Sequence, residues 1–137
     1  MVRSERYGGG NNFKPFQPLS DLGDVPYVCL RLPTGAGKTL LSGHTIPIAG
    51  DSFVEKEYPL TFWLVPTNPI KSQTLETLQN PNHANYKVLD NAFNGKFRVF
   101  DIADFRQIRP QDIADSTCIV ISTFASLRVK DHSTLQF

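Results

Sequence analysis

Pro33-Thr34-Gly35-Ala36-Gly37-Lys38-Thr39 is the stretch of sequence that decides the fold. It follows the apolar, β-rich run 27–32, which predicts a strand buried on both faces of a parallel sheet. After it, the pattern predicts a helix from Lys38 to about Ile46, ended by a proline and a glycine. A strand, a glycine-rich turn and a helix in this order are typical of a phosphate-binding loop.

The residue types in this turn suit an anionic phosphate. Gly35 and Gly37 let the backbone turn and approach a ligand without a Cβ clash. The amides from Gly35 to Thr39 can then surround a phosphate, and the following helix dipole adds to the attraction. Lys38 is placed to reach the β- and γ-phosphates, and the Thr39 hydroxyl to bind Mg²⁺. The full phosphate-loop pattern begins with glycine, whereas this sequence has Leu32 there.

The alternation of strands and helices continues along the chain. Further strands are predicted at 60–65, 97–102 and 118–122. Helices are predicted from Asn68, the expected N-cap before Pro69, to about residue 79, and over 84–93 and 110–115. The order predicts an α/β fold with a mostly parallel sheet. Residues 1–25, rich in glycine, asparagine and proline, are expected to form a flexible arm, and residues 26–137 the domain.

Composition excludes several classes of protein. The chain has 137 residues, enough for one domain, and 14 basic against 13 acidic side chains, so bulk charge favours no nucleic-acid partner. It has no apolar run long enough to span a membrane and no signal peptide, so we expect a cytoplasmic protein. Cys29 and Cys118 lack metal-type spacing and are expected to be buried, reduced thiols, and the histidines form no metal or catalytic pattern.

Two further segments, Phe62–Gln73 and Ile119–Arg128, indicate a function only when they are considered together with the glycine turn. Alone, the first predicts only a strand, a turn and a helix, and the second only a strand that ends in two hydroxyl residues. Together, in this order, the three segments resemble the first RecA-like domain of superfamily 2 helicases, above all the helicase subunit of type III restriction enzymes and DEAD/DEAH-type relatives. Residues 33–39 match motif I, in which that family commonly has Ala or Met at the place of Leu32.

The two later helicase motifs are matched less fully. Val65-Pro66-Thr67 with Gln73 matches motif Ia, with Ile70 in the place of a leucine. Ile121-Ser122-Thr123-Phe124 with Leu127 is similar to motif Ib. The resemblance covers roughly residues 26–130. It implies a RecA-like P-loop NTPase, incomplete at its C-terminus, that uses ATP and Mg²⁺ and couples hydrolysis to movement on nucleic acid, with DNA favoured over RNA.

The resemblance also implies which residues act. Nucleotide binding falls to Pro33, Thr34, Gly35, Ala36, Gly37, Lys38 and Thr39, with Lys38 and Thr39 catalytic and Thr39 the metal ligand. Nucleic-acid backbone contacts fall to Pro66, Thr67, Gln73, Ser122 and Thr123. Lys71 and Arg128 could add positive charge to these contacts, but they are interpreted as solvated residues. In part of the family an upstream glutamine recognises adenine, a role that Gln17 could fill. A modification subunit is a possible partner in the intact system.

One expected motif has no counterpart in the sequence. The family's motif II is an Asp-Glu pair that holds Mg²⁺ and positions the attacking water, and no such pair follows Thr123, while Asp101 and Asp104 precede motif Ib and do not match. We therefore expect a fragment of a helicase domain that is inactive alone. The alternatives are a non-catalytic nucleotide-binding module and a small P-loop enzyme such as a kinase, against which motif Ia speaks.

Overall fold

The structure is a computed structural model that describes residues 18–128. The chain divides into two compact units, Met1–Pro33 and Thr34–Phe137. In the described part of the first unit, the one element of β structure is an isolated antiparallel bridge between Leu19 and Leu22. Most of the predicted arm at 1–25 lies outside the described residues. Gln17, for which adenine recognition was predicted, also lies outside them.

The strand predicted at 27–32 is not formed. Tyr27, Val28 and Leu30 are 57%, 69% and 59% exposed, and Cys29 is exposed too, so the predicted burial of its thiol is wrong. A strand is stable only when a neighbour completes its ladder of hydrogen bonds. Residues 18–33 offer no such neighbour, and prolines at 26 and 33 flank the segment and lack amide donors. Apolar composition alone was therefore insufficient for strand formation here.

The second unit contains the regular structure. In chain order its elements are α1 (Lys38–Ala49), a π-helical turn (Gly50–Val54), β1 (Thr61–Val65), α2 (Asn68–Gln79), α3 (Ala84–Phe93), β2 (Phe97–Asp101), a 3₁₀ helix (Ile102–Gln107), α4 (Pro110–Asp115), β3 (Thr117–Thr123) and α5 (Phe124–Leu127). The three later strands and the three later helices predicted from the sequence are confirmed, with ends shifted by a residue or two.

The sheet is parallel and three-stranded, in the order β1-β3-β2. The central strand β3 is buried along its whole length, as its unbroken run of β-branched and small residues predicts. Val65 at the end of β1 is paired with Thr123 at the end of β3, and Asp101 at the end of β2 with Ile121. The predicted α/β fold with a parallel sheet is confirmed, and the carboxyl ends of the strands meet at one edge.

Helices cover the sheet and complete the core. On one face, the buried apolar side chains that pack together are Ile46, Val65, Leu78, Leu89, Phe93, Ile119 and Ile121. Alternate residues of β3, Cys118 and Val120, are buried on the other face, which is the position predicted for Cys118. Burial raises the pKa of the Cys118 thiol, so the side chain is an inert core residue.

Helix α1 runs past the point where the sequence predicted its end. It passes through Pro47 to Ala49 and continues as the π-helical turn. Pro47 removes one amide donor from the helix, and at the end of the helix the Gly50 amide donates to the carbonyls of Ile46 and Pro47. A Cβ on Gly50 would lie 2.9 Å from Cγ of Pro59, so the close approach of this turn to Pro59 requires glycine.

Candidate nucleotide and nucleic-acid site

The glycine turn before α1 has the backbone that a phosphate-binding loop needs. Gly35 and Gly37 both have φ of +79°, in the left-handed region that residues with a Cβ rarely adopt. No heavy atom lies within 4 Å of a Cβ built on Gly35. The requirement for glycine at this position is therefore conformational and does not come from crowding. Helix α1 begins directly after this turn, at Lys38.

The first turn of α1 leaves its donors available. Gly37 is the N-cap residue, no side chain caps the helix, and the first turn contains no acidic residue. The first amide bonded within the helix is that of Leu41, which donates to the Gly37 carbonyl at 2.9 Å. The preceding amides therefore have no helical acceptor, and the helix dipole favours an anion in front of them.

Lys38 and Thr39 lie where the motif predicts. Lys38 is exposed and Thr39 half-buried, at the start of α1. Among residues 34–128 neither side chain forms an ion pair or a side-chain hydrogen bond. This arrangement fits a nucleotide phosphate and its Mg²⁺. The phosphate needs an ammonium and amides without other partners, and Mg²⁺ needs an available hydroxyl oxygen. Thr34 and Ala36 are exposed in the same turn.

The motif threonines lie at the carboxyl edge of the sheet and begin the helices that follow. Thr67, not Asn68, is the N-cap of α2, so the predicted cap was one residue off. Its hydroxyl oxygen accepts from the Ile70 amide at 3.5 Å. Thr123 caps α5, where its hydroxyl accepts from the Ser126 amide at 3.2 Å and lies 2.9 Å from the Ser126 hydroxyl. Both hydroxyls therefore have a structural task.

The other residues predicted to contact nucleic acid differ in accessibility. Pro66, Thr67 and Gln73 are exposed. Thr123 is only 3% exposed and Ser122 is fully buried, with its hydroxyl donating to the Thr123 carbonyl at 3.1 Å. The accessible part of this edge is thus the turn after β1 and the first turns of α2, whereas Ser122 lies beneath the surface.

An ion pair that sequence reasoning missed lies at the same edge. The Lys71 ammonium is 3.0 Å from both carboxylate oxygens of Asp101, and the two side chains are 15% and 25% exposed. The interpretation of Lys71 as a solvated residue was therefore wrong. Burial alone would raise the pKa of Asp101, but the Ala103 amide and the Lys71 ammonium together hold it below its ordinary value. The sequence did place Asp101 at the end of a predicted parallel strand, and this position indicated that its carboxylate lies at the same edge as the motif residues.

A second ionic cluster joins β2 to α4. Asp112 is buried, and its carboxylate lies 3.2 Å from Nη1 of Arg98 and 3.5 Å from Nε of Arg109. It also accepts from the Arg109 amide at 3.0 Å. That hydrogen bond, together with the two guanidinium charges, outweighs burial and holds the pKa of Asp112 below its ordinary value.

This cluster makes the stability of the fold depend on pH. We expect Asp112→Asn to lower the urea midpoint at neutral pH and to have less effect in acid. The ionised carboxylate stabilises the fold above the unfolded-state pKa of about 3.9, and its contribution is lost as pH falls through the lowered folded-state pKa. Urea unfolding of both chains from neutral pH down to about pH 3 measures the difference. Asp115→Asn, in the same helix, is the control, and an Asp112→Asn effect that stays constant with pH would contradict the assignment.

Fold and site together define the class of protein. The chain has an α/β fold with a parallel sheet, and its glycine turn leads into a helix that begins with Lys38 and Thr39. These features and the family match define a RecA-like P-loop nucleotide-binding protein. The chain belongs to the family described as type III restriction enzyme, res subunit, whose model matches residues 24–136. It is thus a member of a helicase-like ATPase family that uses ATP and Mg²⁺ and acts on nucleic acid. Comparison with curated proteins and with solved structures gave no match.

The family match includes all three motif segments. Residues 33–39, 62–73 and 119–128 lie within the matched range, in the order predicted from the sequence. Between residues 18 and 128, no helix is long and apolar enough to cross a membrane. The same part of the chain contains no cluster of three or more histidine, cysteine, aspartate or glutamate side chains able to hold a metal ion.

Proposed function

We propose that the chain is the ATP-binding front portion of a DNA helicase or translocase, of restriction-modification or related type. In the intact protein ATP hydrolysis is coupled to movement along the nucleic acid, with a modification subunit as a partner. The observation that carries the proposal is the turn with Gly35 and Gly37 at φ of +79°, which delivers Lys38 and Thr39 at the uncapped start of α1. Family membership supports the same function.

Each part of the turn has a role in binding the nucleotide. The amides of residues 35–39 donate to phosphate oxygens, and the Lys38 ammonium offsets the negative charge of the β- and γ-phosphates. The Thr39 hydroxyl supplies one Mg²⁺ ligand, and Pro33, Thr34 and Ala36 shape the turn. Bound Mg-ATP supplies the phosphoryl group and the cation that neutralises its charge. The residues of this chain bind and orient the phosphates.

Nucleic acid is proposed to contact the carboxyl edge of the sheet through its phosphates. Exposed Thr67 and Gln73 present polar groups there, and the Thr67 hydroxyl still has its hydrogen to donate because its oxygen is the cap acceptor. Thr123, 3% exposed, contributes less directly, and the buried Ser122 acts by shaping the end of β3. Contacts to phosphates position a nucleic-acid strand but do not depend on its base sequence. A translocase needs this property because it moves along varied sequences.

The test of this surface is binding of single-stranded oligonucleotides, followed by fluorescence anisotropy. We expect weak binding, insensitive to sequence, with a log–log salt slope that corresponds to one to three phosphates at about −0.7 each. A Thr67→Val, Thr123→Val double variant should bind less tightly. Because valine also removes both helix caps, at a cost of about 0.5–2 kcal/mol each, the matched control is Thr67→Ser, Thr123→Ser.

The serine control separates the two roles of each hydroxyl. It should keep both caps and retain binding, with its stability checked by thermal unfolding. Equal binding by the valine variant and the parent would place the contact surface elsewhere on the chain. A strong preference for one of two unrelated sequences would argue for a sequence-specific binding module in place of a motor.

A further inference from the structure

The pair of Lys71 and Asp101 occupies the surface that we propose for nucleic acid. The Lys71 amide donates to the Thr67 carbonyl at 3.0 Å, so Lys71 lies one helical turn after the cap of α2 and on the same side of the helix. It is also the one basic residue of α2, whose sequence is Asn-Pro-Ile-Lys-Ser-Gln-Thr-Leu-Glu-Thr-Leu-Gln. Any attraction of this helix for phosphate through a full positive charge therefore depends on Lys71.

In the structure the Lys71 ammonium forms an ion pair with the Asp101 carboxylate. Both carboxylate oxygens lie 3.0 Å from the ammonium, so the pair is close to neutral as seen from the solvent. Asp101 is itself fixed, because its Oδ1 accepts from the Ala103 amide at 3.1 Å as the cap of the 3₁₀ helix. Helix α2 is anchored on the same strand by Gln79, whose Nε2 donates to the Val99 carbonyl at 3.0 Å. The carboxylate is therefore held in place against the ammonium.

We propose that Asp101 acts as an internal substitute for a nucleic-acid phosphate and sets the strength of backbone binding at this edge. While Lys71 is paired with Asp101, the edge engages one phosphate fewer than its side chains would allow. A nucleic-acid phosphate gains the Lys71 ammonium only by replacing a carboxylate that is already well placed. The contact is thereby kept weak, which allows a strand to move across it. This inference rests on the proposed nucleic-acid contact.

Removing the carboxylate frees the lysine. With asparagine at 101 the Ala103 amide keeps an oxygen acceptor, but the ammonium, 15% exposed, is left without a counter-charge. A partly buried unpaired ammonium is costly, so the long flexible side chain will move to solvent and become available to phosphate. The charge at the edge then rises by one.

The experiment measures anisotropy of labelled single-stranded DNA with the parent and with Asp101→Asn. We expect the variant to bind about three- to fivefold more tightly at low salt, in the upper part of the range measured for solvent-exposed ion pairs. Its log–log salt slope should steepen by about 0.7, the value for one additional phosphate contact. The Lys71→Met, Asp101→Asn double variant, which removes both charges of the pair, should lack the gain and bind within about twofold of the parent.

Controls distinguish this pair from general charge and from folding. Asp104→Asn makes the same charge change three residues away on the 3₁₀ helix. There Asp104 contacts Gln107 and no cation among residues 18–128, so the variant should leave the slope unchanged. Asp101→Ser, whose hydroxyl can still accept from the Ala103 amide, should reproduce the gain if Asp101→Asn folds poorly.

Three outcomes overturn the inference. The first is an Asp101→Asn affinity and slope equal to those of the parent or of Asp104→Asn, while the threonine variants still show that the edge binds DNA. The second is a large loss of binding in the Lys71→Met, Asp101→Asn double variant relative to the parent, which would mean that Lys71 already contacts phosphate. The third is the absence of binding in parent and variant alike, in which case the proposed nucleic-acid contact fails as well.

Discussion

The chain of 137 residues is expected to release phosphate from ATP no faster than its Lys38→Ala variant. We propose only Thr39 as a protein ligand of Mg²⁺, because residues 18–128 contain no cluster of acidic side chains able to hold the ion. The 137 residues also contain no Asp-Glu pair to orient the attacking water. An arginine finger, which the family resemblance assigns to a second RecA-like domain and not to the motifs of this chain, is typically worth about 10³–10⁵ in rate. We therefore expect this chain to bind ATP without hydrolysing it.

Steady-state phosphate release, measured on both proteins purified in parallel, is the appropriate assay. The Lys38→Ala protein serves as the control for contaminating ATPases, because it should fold as the parent does, given that Lys38 is exposed. Sustained release by the parent that disappears in Lys38→Ala would show that these residues form a working active site. The kinase alternative predicts instead a transfer of phosphate to an added acceptor.

Lys38→Ala is also expected to weaken ATP binding by about tenfold or more. The ammonium makes a charge-assisted hydrogen bond to the phosphates in our proposal, and such a bond contributes about 1.5–3 kcal/mol. The contribution should not be offset by loss of a protein contact, because Lys38 has no ion pair within residues 34–128. Calorimetric titration with Mg-ATP measures both affinities.

Lys87→Ala is the matched control for this titration. Lys87 is another exposed helical lysine, in α3, and its removal makes the same change in net charge without touching the glycine turn. It should bind ATP as the parent does. Equal affinities for the parent and Lys38→Ala would contradict the phosphate-binding assignment, whereas equal losses in both lysine variants would point to non-specific attraction of the anion.

The elements predicted best from the sequence are those with a strong local signal. β3 reads as one unbroken β-rich run and is buried throughout. The helix at 84–93 was predicted with the same bounds as α3, because Leu89 and Phe93 recur at helical spacing and are buried. The glycine turn was also predictable, since Gly35 and Gly37 supply the positive φ that the motif requires.

The errors come from interactions that a local pattern does not specify. Residues 27–32 have strand composition, yet strand formation depends on a partner that the sequence alone does not identify. The cap of α2 lies at Thr67 because its hydroxyl reaches the Ile70 amide, whereas Asn68 was the stronger candidate by type. The pairing of Lys71 with Asp101, thirty positions apart, depends on how α2 crosses the sheet.

The caps formed by Thr67 and Thr123 have a consequence for the evolution of this family. A descendant that no longer bound nucleic acid would still be selected to keep a hydroxyl at both positions, because each begins a helix. Retention of these threonines therefore reports on folding as much as on function. Gln73 is exposed, and its side chain has no hydrogen bond within the described residues. If Gln73 contacts nucleic acid as we propose, this residue would be free to change once binding is lost. The residue at this position would then distinguish relatives that bind nucleic acid from those that do not.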